Sequence, residues 1–346
     1  MSARRPPASP GAVDITVIIC TRNRASQLTD CLASAANLKA PEGLLWELLL
    51  VDNGSSDNTA EVVASFKGRL PIRLVREEAA GLSHARNRGV AEAAGTYICW
   101  TDDDVRLDPD WLAAYAAAFA RHPEAAVFGG EIIPVLQAPT PTWFGRLADQ
   151  WPLTTLLAKR DYGDKPIPLS FDRGVIPWGA NFAVRTAEQR RVPYEPALGV
   201  SPFQRRVGEE AEVIFRILKA GGVGWWTPRA KVRHIIPVKR QTLRYVYEYY
   251  LSCGETAAYM ERVWPGAHHM AGSERDMKWV TGSALSLYAR AALTGMLFTG
   301  AWFIGATSRS LLFLTQMGIH VGAARIAAAP RPAQSLSAVD AEAAGL

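Results

Sequence analysis

The sequence predicts an α/β protein in which a mostly parallel sheet is flanked by helices and is followed by a helical C-terminal region. Two observations carry this prediction. Between residues 14 and 128, short aliphatic runs alternate with helical patterns of roughly 10–15 residues, as in right-handed βαβ units. After residue 240 the strand signals stop, and aromatic and apolar residues recur at helical spacing.

Four short apolar runs are the predicted strands, and each is typical of a strand buried on both faces. They are residues 15–20, 48–51, 72–75 and 97–100. A helical pattern follows each strand. The first is capped by Ser26 and the second by Asp57, at the end of the turn at residues 52–57. The third begins at Ser83, and the fourth begins at Asp108-Pro109. Because parallel strands end at one edge of a sheet, three polar clusters are expected side by side: residues 21–24, 52–57 and 101–104.

The composition limits the classes of protein and partner that are expected. The chain has 346 residues, of which 49% are hydrophobic and 21% charged, enough for one large core or two smaller ones. Its net charge of +5 suits an anionic ligand or an anionic membrane surface. Nucleic acid is not expected as a partner, because no Lys/Arg stripe is interleaved with aromatics. The four cysteines lack metal-ligand spacing and are interpreted as reduced core residues.

Three adjacent carboxylates, Asp102, Asp103 and Asp104, follow the fourth predicted strand. Hard divalent cations such as Mg²⁺ are held at such strand ends by one or two carboxylates together with substrate diphosphate oxygens. Taken alone, the triplet is explained equally well as an acidic turn or as a helix cap. The polar clusters at the neighbouring strand ends favour the metal site.

A second acidic cluster, residues 208–212, precedes an apolar helical stripe. The stripe places Glu209 and Glu210 in the first turn of a helix. Carboxylates are favoured there by the helix dipole alone, so the pattern leaves a structural role and a chemical role open. His234, which follows a strand-like run, is by its type alone a structural residue or a metal ligand.

Taken in order, these motifs resemble the family-2 inverting glycosyltransferases. The motifs are Val-Ile-Ile-Cys-Thr-Arg-Asn-Arg, Val-Asp-Asn-Gly-Ser-Ser-Asp-Asn-Thr, Gly-Leu-Ser-His-Ala-Arg-Asn-Arg-Gly and Thr-Asp-Asp-Asp, followed by Trp-Gly-Ala-Asn-Phe-Ala-Val-Arg, Gly-Glu-Glu-Ala-Glu and Val-Arg-His. The likeness covers residues 14 to 240 and implies the GT-A fold, a Rossmann-like sheet.

The resemblance implies a donor site at the strand edge. The donor nucleotide would be bound by residues of four motifs: Thr21, Arg22, Asp52, Arg86 and Asp102. A divalent cation, Mg²⁺ or Mn²⁺, would be held on the donor diphosphate by Asp102 and Asp104, with His234 as a further partner. Asp104 is expected at a surface edge, outside the core. The alternative interpretation of Arg86 is a solvent-facing arginine on the surface of its helix.

The resemblance also implies the acceptor side. The second acidic residue of the pair removes the acceptor proton, which by position is Glu210, where the family more often has aspartate. The donor sugar and acceptor would contact Asp103, Trp178, Gly179, Asn181 and Glu209. Trp178 is equally explained as a core residue.

The C-terminal third has a separate character. Residues 241–245 faintly resemble the Gln-x-x-Arg-Trp motif of processive synthases, but end in tyrosine. Residues 291–308 carry no charge and 310–324 are also apolar, which predicts a hairpin. A membrane span, a hairpin lying in the bilayer interface and a soluble dimerisation hairpin remain open.

The predicted organisation is therefore a disordered leader at 1–12, a catalytic domain at 13–240, a helical region at 241–328 and a disordered tail at 329–346. Within the catalytic domain, residues 13–128 would bind the nucleotide sugar and 129–240 the acceptor. Residues 139–151 are expected to be a loop shaping the acceptor pocket.

The predicted function is metal-dependent, inverting transfer of one sugar, with a UDP-sugar as donor and a lipid-linked or saccharide acceptor. It would serve cell-surface polysaccharide or glycolipid assembly at the cytoplasmic face of the plasma membrane. The alternatives are transfer to a polyprenyl phosphate, or an inactive nucleotide-sugar-binding module. A homodimer is left open.

Overall fold

The structure, a computed structural model, describes residues 13–263 and 281–329. The leader expected at residues 1–12 and nearly all of the expected tail lie outside the described residues.

The strands of the described residues are β1 Ile15–Thr21, β2 Trp46–Asp52, β3 Ile72–Arg76, β4 Tyr97–Asp102, β5 Val105–Leu107, β6 Ala125–Leu136, β7 Asn181–Arg185, β8 Gly199–Val200, β9 Arg205–Arg206 and β10 Val223–Ile236. The first four lie where the apolar runs predicted strands, each extended by one to three residues. Eight of the strands form one sheet in the order β3-β2-β1-β4-β7-β6-β10-β5, and β8 pairs with β9. Strands β1 to β4 are parallel, as expected, whereas β7 runs antiparallel to β4 and β6, and β5 runs antiparallel to β10.

Helices cover both faces of this sheet. They are α1 Ala25–Ala35, α2 Thr59–Ser65, α3 Leu82–Glu92, α4 Trp111–Arg121, α5 Thr142–Leu147, α6 Leu153–Leu156, α7 Thr186–Arg191, α8 Glu209–Lys219, α9 Leu243–Val263, α10 Ala284–Phe303 and α11 Thr307–Ala328. One apolar core lies under α1 and α4, and the other lies under α3 and α8. The GT-A arrangement of a central sheet between two helical layers is thus confirmed.

The first two helices begin on a shared carboxylate. Asp57 Oδ2 accepts a hydrogen bond from Ala25 N (3.0 Å), and its Oδ1 accepts from Thr59 N (3.2 Å). The cap predicted at Ser26 is therefore wrong, because Ser26 already lies inside α1 and Asp57 reaches its first turn. These bonds lower the pKa of Asp57, although the slight burial of the group opposes them.

The segment at residues 139–151, expected to be a loop, contains helix α5 instead. Phe144 and Leu147 of this helix are buried against α9 and α11, in a third core. Their apolar spacing of three residues suits a short helix packed on one face. This segment therefore supports the C-terminal helices.

The C-terminal helices pack through glycines. A Cβ at Gly322 would lie 2.1 Å from Leu251 O, and one at Gly318 would lie 2.8 Å from Tyr247 O, so α11 contacts the backbone of α9 directly. The uncharged run at 291–308 is not one helix, since a turn at residues 304–306 with Gly305 at φ +71° divides it. By length and composition α11 is the one described helix able to cross a membrane, and half of its most apolar window is buried inside the protein.

Candidate active site

The three polar clusters meet at one edge of the sheet, as predicted. Strand β1 lies between β2 and β4, with Thr21 opposite Asp52 and Cys20 opposite Asp102. The ends of these strands place the Thr-Arg-Asn-Arg motif, the Asp52 turn and the acidic triplet in adjacent positions.

The three carboxylates of the triplet have different surroundings. The Asp102 side chain is 37% exposed, whereas those of Asp103 and Asp104 are buried. Asp103 accepts a hydrogen bond from the Thr21 hydroxyl (2.7 Å) and forms an ion pair with Arg24 (2.7 Å). Burial raises the pKa of Asp103 to about 7, against the nearby charge of Arg24.

Thr21 and Asp103 are partners inside the protein. Both are buried, and the two oxygens of Asp103 contact Thr21 and Arg24. Their expected roles on the nucleotide and the donor sugar stay predictions. Together these residues fix the backbone from which Asp102 projects.

Asp104 is surrounded by three cationic groups. Its Oδ2 lies 2.8 Å from Arg24 Nη2 and 3.2 Å from Arg240 Nη2, and its Oδ1 lies 3.6 Å from His234 Nε2. Although burial opposes it, His234 and the two arginines hold the pKa of Asp104 well below its usual range. The pKa of His234 is raised, since the Asp104 carboxylate outweighs the burial of the imidazole. Asp104 is thus a buried charge centre, and the expectation of a surface position is wrong.

The expected metal ligands do not converge into a complete protein cage. Among residues 13–263 and 281–329, no group of three or more His, Cys, Asp and Glu side chains is close enough to hold a metal. His234 directs Nδ1 to the Leu157 carbonyl (3.1 Å), and Asp104 is engaged by arginines. Asp102 remains as a carboxylate with accessible oxygens, which fits a cation held by one carboxylate and a substrate diphosphate.

The Asp52 turn forms the other end of this edge. Asp52 Oδ1 accepts from Ser55 N (2.8 Å), while its Oδ2 lies 3.5 Å from Arg76, a long contact. Arg22 donates to the Asn53 carbonyl (2.8 Å) and so supports the turn. The Asp52 side chain is only 6% exposed, and its expected role on the nucleotide stays a prediction.

Arg86 lies inside the protein, so the solvent-facing alternative is wrong, whereas its expected role on the nucleotide stays a prediction. Its side chain is 4% exposed, and its guanidinium lies 5.3 to 5.7 Å from the ring centroids of Trp100, Phe182 and Tyr194. Its Nη2 lies 3.5 Å from Glu209 Oε1 and 3.8 Å from Asp102 Oδ1. The aromatic faces and the two carboxylates together compensate for burial of this charge.

The acidic pair begins helix α8, as predicted. Glu209 is buried, and burial raises its pKa to about 7, helped by the negative charge of Glu210 and opposed by Arg86. Glu210 is only partly buried, and its Oε1 accepts a hydrogen bond from Gly179 N (3.1 Å). A Cβ at Gly179 would lie 3.0 Å from Arg86 and 3.3 Å from Glu210, so glycine permits this close approach.

The rest of the Trp-Gly-Ala-Asn motif has a different role from the one expected. Asn181 accepts from Trp111 Nε1 and the Tyr115 hydroxyl, each at 2.8 Å, and donates to the carbonyls of Glu131 and Ala230. Two acceptor and two donor contacts fill the capacity of an amide, so Asn181 is a structural residue and not a sugar ligand. Trp178 is half-buried, and the Arg160 guanidinium lies 3.4 Å above its ring.

Sequence reasoning did not identify Arg24, Arg160 and Arg240 as site residues. Arg24 carried a signal, since it belongs to the Thr-Arg-Asn-Arg motif. Arg160 and Arg240 belong to no motif, and they reach the site through folding alone. Arg244, at the arginine of the faint processive motif, is largely exposed and pairs with Glu248 (2.7 Å), away from the carboxylates.

The central sheet and the two helical layers place the chain in the class of GT-A folds. The chain matches the family described as glycosyl transferase family group 2 over residues 97–328, and glycosyl transferase family 2 over residues 16–168. The first of these matches covers more than half of the chain, so the chain belongs to glycosyl transferase family group 2. A relative from Mycobacterium tuberculosis, named PGL/p-HBAD biosynthesis glycosyltransferase, is 36% identical over 121 residues, which are 34% of this chain and 46% of the relative. The match thus spans less than half the length of that relative.

Solved structures support the fold. Staphylococcus aureus TarS 1–349 in complex with UDP has a TM-score of 0.51 at 13% identity, covering 88% of this chain and 90% of TarS. GalNAc-T7 with UDP, GalNAc and Mn²⁺ has a TM-score of 0.50 at 20% identity, covering 74% of this chain and 51% of the other.

Proposed function

We propose that this chain transfers one sugar, with inversion, from a nucleotide sugar to an acceptor hydroxyl. One observation carries the proposal: Arg86 lies between Asp102, which we assign to the donor, and Glu209, the neighbour of the assigned base. A single buried guanidinium thus links the donor end to the acceptor end of the site. Such a link suits a reaction in which both substrates must be held in one geometry.

Glu210 is the proposed general base. The acceptor oxygen forms a bond to the anomeric carbon, its proton passes to the Glu210 carboxylate, and the bond from the anomeric carbon to the diphosphate oxygen breaks. The bonding electrons leave with the nucleoside diphosphate. The hydrogen bond from Gly179 N orients Glu210 without neutralising it.

The donor is proposed to be a UDP-sugar bound with Mg²⁺ or Mn²⁺. A cation of this kind would supply charge stabilisation for the departing diphosphate, and Asp102 is the residue that would hold it. Asp52 and Arg22 would face the nucleotide. The two fold neighbours support this choice, since the TarS structure contains UDP and the GalNAc-T7 structure contains UDP and Mn²⁺.

The acceptor is proposed to be lipid-linked or a saccharide in cell-surface polysaccharide or glycolipid assembly. The name of the mycobacterial relative as a biosynthetic glycosyltransferase supports this setting. The exposed apolar residues of α10 support action at a membrane surface, and we propose that this is the cytoplasmic surface.

The test is an assay of purified chain against UDP-sugars with Mg²⁺ or Mn²⁺, following release of UDP with and without acceptor lipids and saccharides. We expect slow cation-dependent hydrolysis of one donor and faster release with acceptor. Tight donor binding without any turnover in every combination would instead indicate a nucleotide-sugar-binding module.

A further inference from the structure

The two helices of the C-terminal hairpin differ in how their apolar residues are used. In α11 these residues pack on α9, where Gly318 and Gly322 bring the backbones together. The apolar character of α11 is thus explained by the protein's own core. That of α10 is not, because much of its apolar surface faces outward.

The exposed apolar residues of α10 and the following turn form what we call the outer face. Its largest side chains are Leu285, Leu293, Met296, Trp302, Phe303 and Ile304. At the hairpin turn Phe303 is 84% and Ile304 is 78% exposed, and Leu285 at the start of α10 is 81% exposed. No charged residue occurs from 291 to 308, so this surface is uninterrupted by charge towards the turn.

A basic cavity adjoins the same turn. It has a volume of about 380 Å³ and lies between α5 and the first residues of α11, with Arg146 and Arg309 in its lining. Across the part of the chain that the structure describes, neither arginine forms an ion pair with an acidic side chain. Trp143 lines the cavity beside them. The cavity therefore offers positive charge without a protein counterion next to exposed apolar side chains.

We propose that the outer face docks in the surface of a bilayer containing anionic phospholipids, with lipid phosphates held by Arg146 and Arg309. Exposed tryptophan, bulky apolar side chains and neighbouring arginines are the combination that an interface of acyl chains and phosphates accommodates. A second copy of the chain is a weaker match, since it would bring an identical basic turn and no complementary anion. This proposal rests on the membrane setting of the proposed function and adds the surface and its lipid chemistry.

The test is sedimentation of the full chain with phosphatidylcholine vesicles and with vesicles containing one third phosphatidylglycerol. We expect binding to the anionic vesicles that weakens in 0.5 M salt, with weaker binding to the neutral ones. The pair Arg146→Gln and Arg309→Gln should reduce anionic binding by about fivefold for each arginine. Phe303→Ser with Ile304→Ser should reduce binding to both kinds of vesicle; both residues are exposed, so folding is not at risk.

Matched controls separate this surface from general charge or hydrophobicity. Lys67→Gln with Arg69→Gln removes the same charge far from the hairpin, and Phe203→Ser removes an 89% exposed aromatic from the β8–β9 turn. Both controls should bind vesicles like the parent chain. The proposal is overturned if the parent chain does not bind anionic vesicles, or if the controls lose as much binding as the hairpin variants. It is also overturned if Phe303→Ser with Ile304→Ser converts a dimer into a monomer, because the outer face would then be a dimer interface. UDP release measured in parallel, without lipid, tests the transferase separately.

Discussion

Arg86 and Glu209 form an ion pair that is almost completely removed from solvent, with 3.5 Å between Nη2 and Oε1. The nearby Asp102 carboxylate and three aromatic rings complete the surroundings of the guanidinium. Removal of one partner from such a pair leaves the other charge buried, which costs far more than loss of an exposed pair.

We therefore expect Arg86→Gln to lower the free energy of unfolding by about 3–5 kcal/mol at a pH above the raised pKa of Glu209, about 7, and by less below it, where Glu209 takes up a proton. The measurement is urea denaturation followed by fluorescence. Arg88→Gln is the matched control on the same helix, because Arg88 is 43% exposed and its ion-pair partner among the described residues is Glu92 (2.9 Å). The control should change stability by at most about 0.5 kcal/mol. Equal stability of both variants would show that Arg86 is not the charge that balances this site.

The assignment of the base predicts unequal effects within the acidic pair. Glu210→Gln should keep donor affinity and lower turnover with acceptor by roughly two to four orders of magnitude, because proton removal is lost. Glu209→Gln should lower turnover less and raise the acceptor KM more, since Glu209 is buried against Arg86. Steady-state kinetics with varied acceptor check both. If Glu209→Gln is the variant that loses turnover, the roles are reversed.

The acidic triplet predicts a separation between stability and cation binding. Asp104→Asn should destabilise the fold by about 3–5 kcal/mol, because Arg24, Arg240 and His234 lose a buried counter-charge. Asp102→Asn should leave the unfolding midpoint nearly unchanged and remove the cation-dependent increase in UDP affinity, since Asp102 is partly exposed. Urea denaturation and calorimetry of UDP binding with and without Mn²⁺ measure the two effects. Wild-type UDP affinity in Asp102→Asn, with Mn²⁺ present, argues against Asp102 as the cation's residue.

Buried carboxyl groups predict a pH dependence of stability. Burial raises the pKa of Asp103, Glu209 and Glu212 to about 7 each, so the folded chain holds protons that the unfolded chain has already released. The free energy of unfolding should therefore fall as the pH rises from about 4.5 to 7. Urea denaturation across this range should show a smaller fall in the free energy of unfolding for Glu212→Gln. Donor turnover should not change in this variant, because Glu212 points away from the site towards Arg216 (3.1 Å). An unchanged slope in this variant would show that Glu212 does not titrate in that window.

The sequence was sufficient for those parts of the fold and site that depend on local pattern. The four parallel strands and the start of α8 follow from apolar spacing and from residues that favour helix ends. Arg86 also carried a local signal: it shares the buried face of α3 with Ser83 and Val90, at spacings of three and four residues. That spacing indicated a buried arginine better than the motif did.

Other parts depend on contacts between distant segments, which a local pattern does not encode. Asn181 resembled a sugar ligand by its motif, but its position on β7 directs the amide to Trp111 and Tyr115. Asp104 is defined by arginines from the β1–α1 turn and from the segment before α9. The sequence does not distinguish the three consecutive aspartates from one another. In the structure only Asp102 ends the strand, and the two that follow it are buried.

The position of β5 affects the stage of folding at which the acidic triplet is arranged. This strand follows the acidic triplet directly, but it lies at the far edge of the sheet, where Val105 pairs with His234 of β10 and Asp104 O accepts from Ile235 N (3.0 Å). The triplet is thus held by a strand much later in the chain, whose pairing must wait until the intervening chain has been synthesised and closed. We expect a nascent or prematurely ended chain to form the first parallel strands without arranging its carboxylates. We therefore expect the proposed donor site to form late in folding, and only in chains that extend through β10.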